Sequence, residues 1–223
     1  IINISNDGEP ALIFNIKIDF IGEPDDVSVI MRPDDFGMEI EEYIVRETAW
    51  LGMAWDGELV WGIDCRQDQF VGFDPITEEI VEVVDVPDYC FDMTCDGQSF
   101  WATFWNDRLQ QIDRDGNIIS TLEVPVRSVS GIAFDGENLW YSGVNNYLDR
   151  CTFRQISTEG EILREIDCSD LIYNNHYSIE YVPEHKGGNL WVMGLEDFYQ
   201  ININGEPPDI VQHMQIFTGE MFG

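Results

Sequence analysis

The sequence predicts an all-β chain, a β-propeller of five four-stranded blades. Three observations carry this. Asp-Gly followed by a Trp five residues after the Asp occurs at Asp56-Gly57, Asp96-Gly97 and Asp135-Gly136, with Trp61, Trp101 and Trp140 as the partners. These Trp stand 40 and 39 apart, and a degraded fourth copy, Gly187-Gly188-Asn189-Leu190-Trp191, follows. Each unit divides into four short apolar runs separated by turn residues, and a repeat of about 40 residues with four strands is the pattern of a blade.

The elements follow in order. In the unit 49–88, strands at 51–55 and 59–64 flank Asp56-Gly57, a pair suited to a hairpin turn that needs positive φ. A third strand at 70–74 and a turn at Pro75-Ile76-Thr77-Glu78 lead to a fourth at 79–86, before Pro87. The unit 89–127 repeats this at 90–96, 99–106, 109–113 and 117–124; the unit 128–170 at 129–135, 138–145, 151–157 and 161–167. The unit 171–223 places strands at 177–182, 189–196, 199–203 and 210–216, and the 51-residue step from Trp140 to Trp191 puts a longer connection near 170–176. In residues 1–48, Asn6-Asp7-Gly8-Glu9 reads as another inner turn. There 11–20 alternates with Leu12, Phe14, Ile16 and Ile18 on one side, and 27–31 and 38–45 complete a fifth blade. The alternative is four blades plus an N-terminal immunoglobulin-like remnant, since the run from Ile4 to Phe14 resembles strands of that type. Either way residues 1–223 form a single domain.

Charge sets the chain apart. Lys plus Arg number 11 against 43 Asp plus Glu, a net charge of −32. Such a surface repels nucleic acid and anionic lipid, and hard divalent cations, Ca²⁺ foremost, are its natural counter-ions. A hydrophobic share of 44% supports a packed core. No apolar run approaches 18 residues, so no membrane insertion is expected. The chain opens at Ile1-Ile2-Asn3-Ile4 in strand-like sequence without a signal peptide, as a mature or excised product would.

The motif Gly-x-Ala-x-Asp-Gly-Glu-x-Leu-Trp, with Ile-Asp-x-Asp-Gly and a closing Val-Pro, resembles secreted propeller repeats of the quinoprotein-like and streptogramin-lyase-like superfamily over roughly residues 49–205. The resemblance implies the blade and an extracellular or cell-surface location. It implies no chemistry, because propellers host many functions. Streptogramin-lyase-like relatives use a His, and none of His176, His185 or His213 stands in a repeat-matched motif.

Candidate sites follow from the topology. Connections between the second and third strands, and between blades, emerge on one face. The first set carries Asp64 and Asp68, Asn106 and Asp107, Asn145 and Asp149, and Glu196 and Asp197. These converging oxygen ligands are the expected Ca²⁺ site. The repeated Asp-Gly pairs read as turns, the repeated Trp as packing between blades, and Asp113-Arg114-Asp115-Gly116-Asn117 as a turn rather than a calcium loop.

No cysteine pair has Cys-x-x-Cys spacing, which argues against zinc and for disulfides. Cys151 and Cys168 lie equidistant from the Glu159-Gly160 turn. That makes them cross-strand partners at a non-hydrogen-bonded site, with Cα atoms about 4.5 Å apart, within bridging range. Cys65 and Cys90 reach one face and form the second expected pair, with Cys95 left over or taking the place of Cys90.

No nucleophile elbow, phosphate loop or His-Glu-x-x-His occurs. The expectation is a non-enzymatic binding or structural module, calcium-stabilised and self-associating through strand edges into an oligomer or filament. The alternative is a glycosidase-like hydrolase or lyase with carboxylates at the central channel, where Asp92 and Glu180 on inner strands imitate a catalytic pair.

Overall fold

The computed structural model describes residues 2–5, 13–16, 42–43, 45, 50–104, 108–126, 128–144, 152–168, 172, 176–183, 185, 187–194, 197–205 and 207–215. Four four-stranded antiparallel meanders build a propeller. Blade 1 is β4 (Trp50–Trp55), β5 (Val60–Asp64), β6 (Gln69–Asp74) and β7 (Glu79–Asp85). Blade 2 is β8 (Cys90–Cys95), β9 (Phe100–Phe104), β10 (Arg108–Ile112) and β11 (Ile118–Glu123). Blade 3 is β12 (Ser128–Phe134), β13 (Leu139–Val144), β14 (Thr152–Ile156) and β15 (Ile162–Asp167). Blade 4 is β16 (His176–Tyr181), β17 (Leu190–Gly194), β18 (Asp197–Asn202) and β19 (Asp209–Gln215).

The five-blade expectation is corrected here. The N-terminal strands β1 (Ile2–Ser5), β2 (Ile13–Ile16) and β3 (Glu42–Tyr43) form a three-stranded sheet in the order β2-β1-β3, with Ser5 opposite Ile13. A blade is a meander in chain order, whereas here β1 sits between the other two. Asp7-Gly8 also lacks the partner that marks the blades, because the residue five after Asp7 is Leu12. The expected strand at 27–31 lies outside the described residues. Four blades plus an N-terminal sheet is the observed arrangement.

The repeat motif is a lock as well as a turn. Asp56 Oδ1 accepts the Glu58 and Leu59 amides at 2.9 and 2.7 Å, and Trp61 Nε1 donates to Oδ2 at 2.7 Å. Asp96 and Asp135 do the same, with Trp101 and Trp140 Nε1 donating at 3.2 and 3.0 Å. The glycine after each Asp takes the positive φ that the turn demands: 101° at Gly57, 90° at Gly97 and 99° at Gly136. Each indole is thereby tied to its own hairpin, and its ring is left to pack against the following blade.

Those rings organise the core. Trp61 packs with Phe100, Met93 and Phe104 between blades 1 and 2, Trp101 with Val129, Ile132 and Tyr141 between blades 2 and 3, and Trp140 with Ile179, Leu190 and Val192 between blades 3 and 4. All three are at most 2% exposed, and each large apolar side chain so buried stabilises by about 1.5–3 kcal/mol. Blade 4 departs from the rule, for Trp191 Nε1 donates to His185 Nδ1 at 2.7 Å.

A second recurring feature aims residues at the axis. The pairing of the two innermost strands shifts register at the same place in every blade: Trp50/Met53, Cys90/Met93, Val129/Ile132 and His176/Ser178. These β-bulges re-aim one residue per blade. A hydroxyl from the second strand serves the freed amide in two of them, Thr103 for Asp92 at 3.0 Å and Ser142 for Gly131 at 2.9 Å.

The disulfide expectations are also corrected. Cys65, Cys90, Cys95 and Cys168 are free thiols, and Cys151 lies outside the described residues. Strand alternation explains Cys65 and Cys90. Tyr89 turns to the loop and its hydroxyl meets the Cys65 thiol, so Cys90 points into the core between blades 1 and 2. The β14–β15 ladder keeps the predicted register through Thr152 opposite Asp167. Beyond it, the Cys168 thiol is packed among Ile166, Ile172 and Ile179.

Two outcomes check this account. Asp135→Ala strands the buried Trp140 N–H and removes the turn contacts, so it should cost about 1–3 kcal/mol in urea unfolding, with Trp140→Phe less costly. Thiol counting in denaturant without reductant should find Cys65, Cys90, Cys95 and Cys168 all reactive, and in the native protein Cys65 should react ahead of the buried Cys90 and Cys168.

Candidate functional site

Of the expected cation ligands, three are described. Asp64 is buried at the end of β5 and its Oδ1 accepts the Arg66 amide at 3.0 Å. Asp68 is exposed in the same loop with φ of 54°. Asp197 opens β18 and takes His213 Nε2 at 2.6 Å. Asn106, Asp107, Asn145, Asp149 and Glu196 lie outside the described residues. Among the described residues no three His, Cys, Asp or Glu side chains come together as a metal group. Asp113 is occupied as a turn residue, accepting the Asp115 and Asn117 amides and the Asn117 side chain.

At the axis the bulge of β8 delivers Asp92. Its Oδ2 accepts the Ile132 amide of blade 3 and the Ser178 hydroxyl of blade 4, both at 3.0 Å. On the blade 1 side it abuts Gly52, where a Cβ would stand 2.6 Å from Asp92 Oδ1. One carboxyl therefore meets all the other blades. It is 1% exposed, and Oδ1 has no hydrogen-bond partner. Burial pushes its pKa well above the usual carboxylate range, against the lowering pull of the Ile132, Ser178 and Met93 donors, and the nearby Glu180 charge pushes the same way as burial. Burial thus favours the protonated form.

Glu180 occupies the inner-strand position held by Ala54, Thr94 and Ala133 in the other blades. Ala54 and Ala133 pack in the cores shared with the following blade, and Thr94 Oγ1 accepts the Phe134 amide of the following blade at 3.2 Å. The same geometry directs Glu180 to the side of blade 4 away from blade 3. Water reaches it, yet crowding by protein raises its pKa to about 7, opposed by the Tyr181 amide. Asp92 and Glu180 thus both stand on inner strands, of blades 2 and 4, and the Glu180 charge acts on Asp92.

The rim shows a different chemistry. Among the described residues the large hydrophobics that stand exposed are Ile80, Val81 and Val83 on β7, Ile118 and Ile119 on β11, Ile162 and Leu163 on β15, Val211 on β19, and Ile76 in the turn entering β7. Every one lies on an outermost strand or its approach. Sequence reading passed over these pairs, whose signal was available: an apolar doublet opens each fourth strand, at 80–81, 118–119, 162–163 and 210–211.

No protein-family model matches the chain, and no curated protein matches it by sequence. Solved structures do share the fold. Glutaminyl cyclase of Myxococcus xanthus superposes with a TM-score of 0.56 at 11% identity, covering 72% of this chain and 74% of that one. The WD40 domain of Neurospora crassa Pan2 gives 0.50 at 8% identity, covering 75% and 54%. Virginiamycin B lyase from Staphylococcus aureus gives 0.49 at 18% identity, covering 78% and 58%. The first two likenesses establish the β-propeller fold and nothing about chemistry.

The axial acids make a pH prediction. Both hold protons more tightly folded than unfolded, so their contribution is complete below the unfolded carboxylate range near pH 4. It is lost as pH rises, for Glu180 through about 7. Asp92→Asn mimics the neutral acid. Urea midpoints should fall from pH 5 to pH 8 in the wild type and fall less in Asp92→Asn, the difference isolating Asp92 from the general acidic repulsion.

Proposed function

We propose that the chain is an acidic propeller module that binds or builds rather than catalyses, associating through the outer strands of its blades. The supporting observation is that, among the described residues, the exposed large aliphatic side chains lie on those strands or in the turn entering β7, since exposed apolar edges mark association surfaces. Divalent cations, Ca²⁺ first among them, belong to this reading. They stabilise the loop face around Asp64, Asp68, Asn106, Asp107, Asn145, Asp149, Glu196 and Asp197, and they screen subunits whose net charge of −32 otherwise keeps them apart. The extracellular placement rests on the resemblance to secreted repeats, the free thiols lending it no support. Among the described residues no helix is long and apolar enough to cross a membrane.

Light scattering tests association. The mass should exceed the 25.7 kDa monomer in millimolar Ca²⁺ or appreciable salt and return to it on chelation at low ionic strength; a monomer throughout overturns self-association. Melting separates out the cation. At a hundredfold excess over Kd, Ca²⁺ should add about 2.7 kcal/mol at matched ionic strength.

A second reading, a hydrolase or lyase, has one specific observation in its favour: a water-accessible Glu180 titrating near neutrality beside a buried acid, the pairing of environments that separates acid from base. Turnover of a glycoside substrate that Glu180→Gln abolishes would establish it.

A further inference from the structure

The outer strands are not equivalent, and β7 differs from the rest in a way that selects a partner. Residues 79–83 are exposed in an unbroken run, with Ile80, Val81 and Val83 at 41, 49 and 54%. On β11 and β15 a half-buried residue interrupts the corresponding run. The position of Val83 is Thr121 on β11, Glu165 on β15 and His213 on β19, so only blade 1 carries an aliphatic there. The stretch from Glu78 to Asp85 holds four carboxylates and no Lys or Arg. Those of Glu78, Glu79 and Glu82 make no ion pair among the described residues. One side of β7 is bonded to β6 and the strand ends its sheet. Edges are commonly guarded by Lys or Pro, and β7 contains neither.

We propose that β7 is a strand-addition edge for an extended polypeptide segment in which Lys or Arg alternates with aliphatic residues. The inference rests on the reading of the outer strands as the association surface and names the partner that blade 1 takes. Main-chain hydrogen bonds to the free edge supply affinity, and alternate side chains supply selection. Across the new pair, aliphatic side chains meet Val81 and Val83, and cations meet Glu79 and Glu82, which the bulge between Ile80 and Glu82 brings to one face. Strands β11 and β15 of a second copy are poor occupants, because they bring Glu123, Glu165 and Asp167 against the same carboxylates.

The probe is a synthetic peptide of alternating Lys and Val, titrated onto the whole chain at low and moderate salt, with amide hydrogen exchange as the positional readout. It should slow exchange on β7 and leave β11 and β15 unchanged. N-methylation of alternate peptide amides should weaken it roughly tenfold or more by removing strand pairing. Val83→Lys, at an exposed site, should weaken it by a similar factor, while Thr121→Lys on β11 should not. A Lys-Ser peptide that binds equally well, a Glu-Val peptide that binds equally well, or protection away from β7 would overturn the proposal. Its failure is distinct from that of self-association: peptide protection of β7 in a persistent monomer upholds this inference alone, and assembly without peptide binding sinks it alone.

Discussion

One carboxylate in each of the first three blades sets the form of that blade. Asp56, Asp96 and Asp135 hold two turn amides and one indole apiece, and the indole is the side chain that the next blade packs on. The bond fixes the ring's tilt about its own strand, so local hairpin geometry becomes the spacing between blades. Arg114 carries the coupling further. From the third-to-fourth-strand turn of blade 2 it reaches Asp56 Oδ2 at 2.7 Å and lies 5.2 and 4.4 Å over the Trp61 and Phe100 rings. Asp56 is held below the usual carboxylate range despite its partial burial, because the Leu59, Glu58, Trp61 and Arg114 donors all favour the anion. At Asp56 the donors outweigh partial burial and favour the anion, whereas at Asp92 full burial outweighs the Ile132, Ser178 and Met93 donors and favours the protonated form.

Much of this was legible. Spacing gave the repeat, and alternation within it gave four strands and the inward Trp. The lock goes beyond that reading, in which the Asp-Gly pairs are turns and the Trp pack between blades; the constant five residues from Asp to Trp were its available signal. The N-terminal sheet was misread because alternation at 11–20 says strand without saying which strand pairs with it. Asp7-Gly8 without its Trp was the clue against a fifth blade. The cysteine pairings failed for another reason. Shared face and matching register are necessary for a bridge, yet side-chain direction decides, and Cys90 and Cys168 both turn into apolar cores.

The axis was only half legible. Asp92 and Glu180 could be named as inner-strand carboxylates, but their bulge and parity could not. A one-residue bulge changes which neighbour a side chain meets, and no spacing rule announces it. Gly52 and Gly131 show why it recurs: a Cβ at the first would collide with Asp92, and one at the second with the Ile179 amide and Ser142 Oγ. Innermost strands approach too closely there for a side chain in every blade. The space saved in blade 1 is what receives the Asp92 carboxyl.

The few cations complete the argument about the rim. Of the 11 Lys and Arg, Arg108, Arg114 and Arg154 are described as paired with Glu123, Asp56 and Glu165 at 3.0, 2.7 and 2.6 Å. Arg164 is turned to the Ile203 carbonyl of blade 4. These four guanidinium groups join strand to strand or blade to blade, and β7 receives none of them. Its carboxylates face water in a row beside aliphatic side chains, a combination that repels copies of itself and favours a strand of opposite charge. Acid buried at the centre, acid locked in the hairpins and acid without a paired cation on the edge are three settings of one side-chain chemistry. Each is set by burial against the donors the fold supplies: burial prevails at Asp92, the donors prevail at Asp56, and on β7 Glu79 and Glu82 have no ion pair among the described residues.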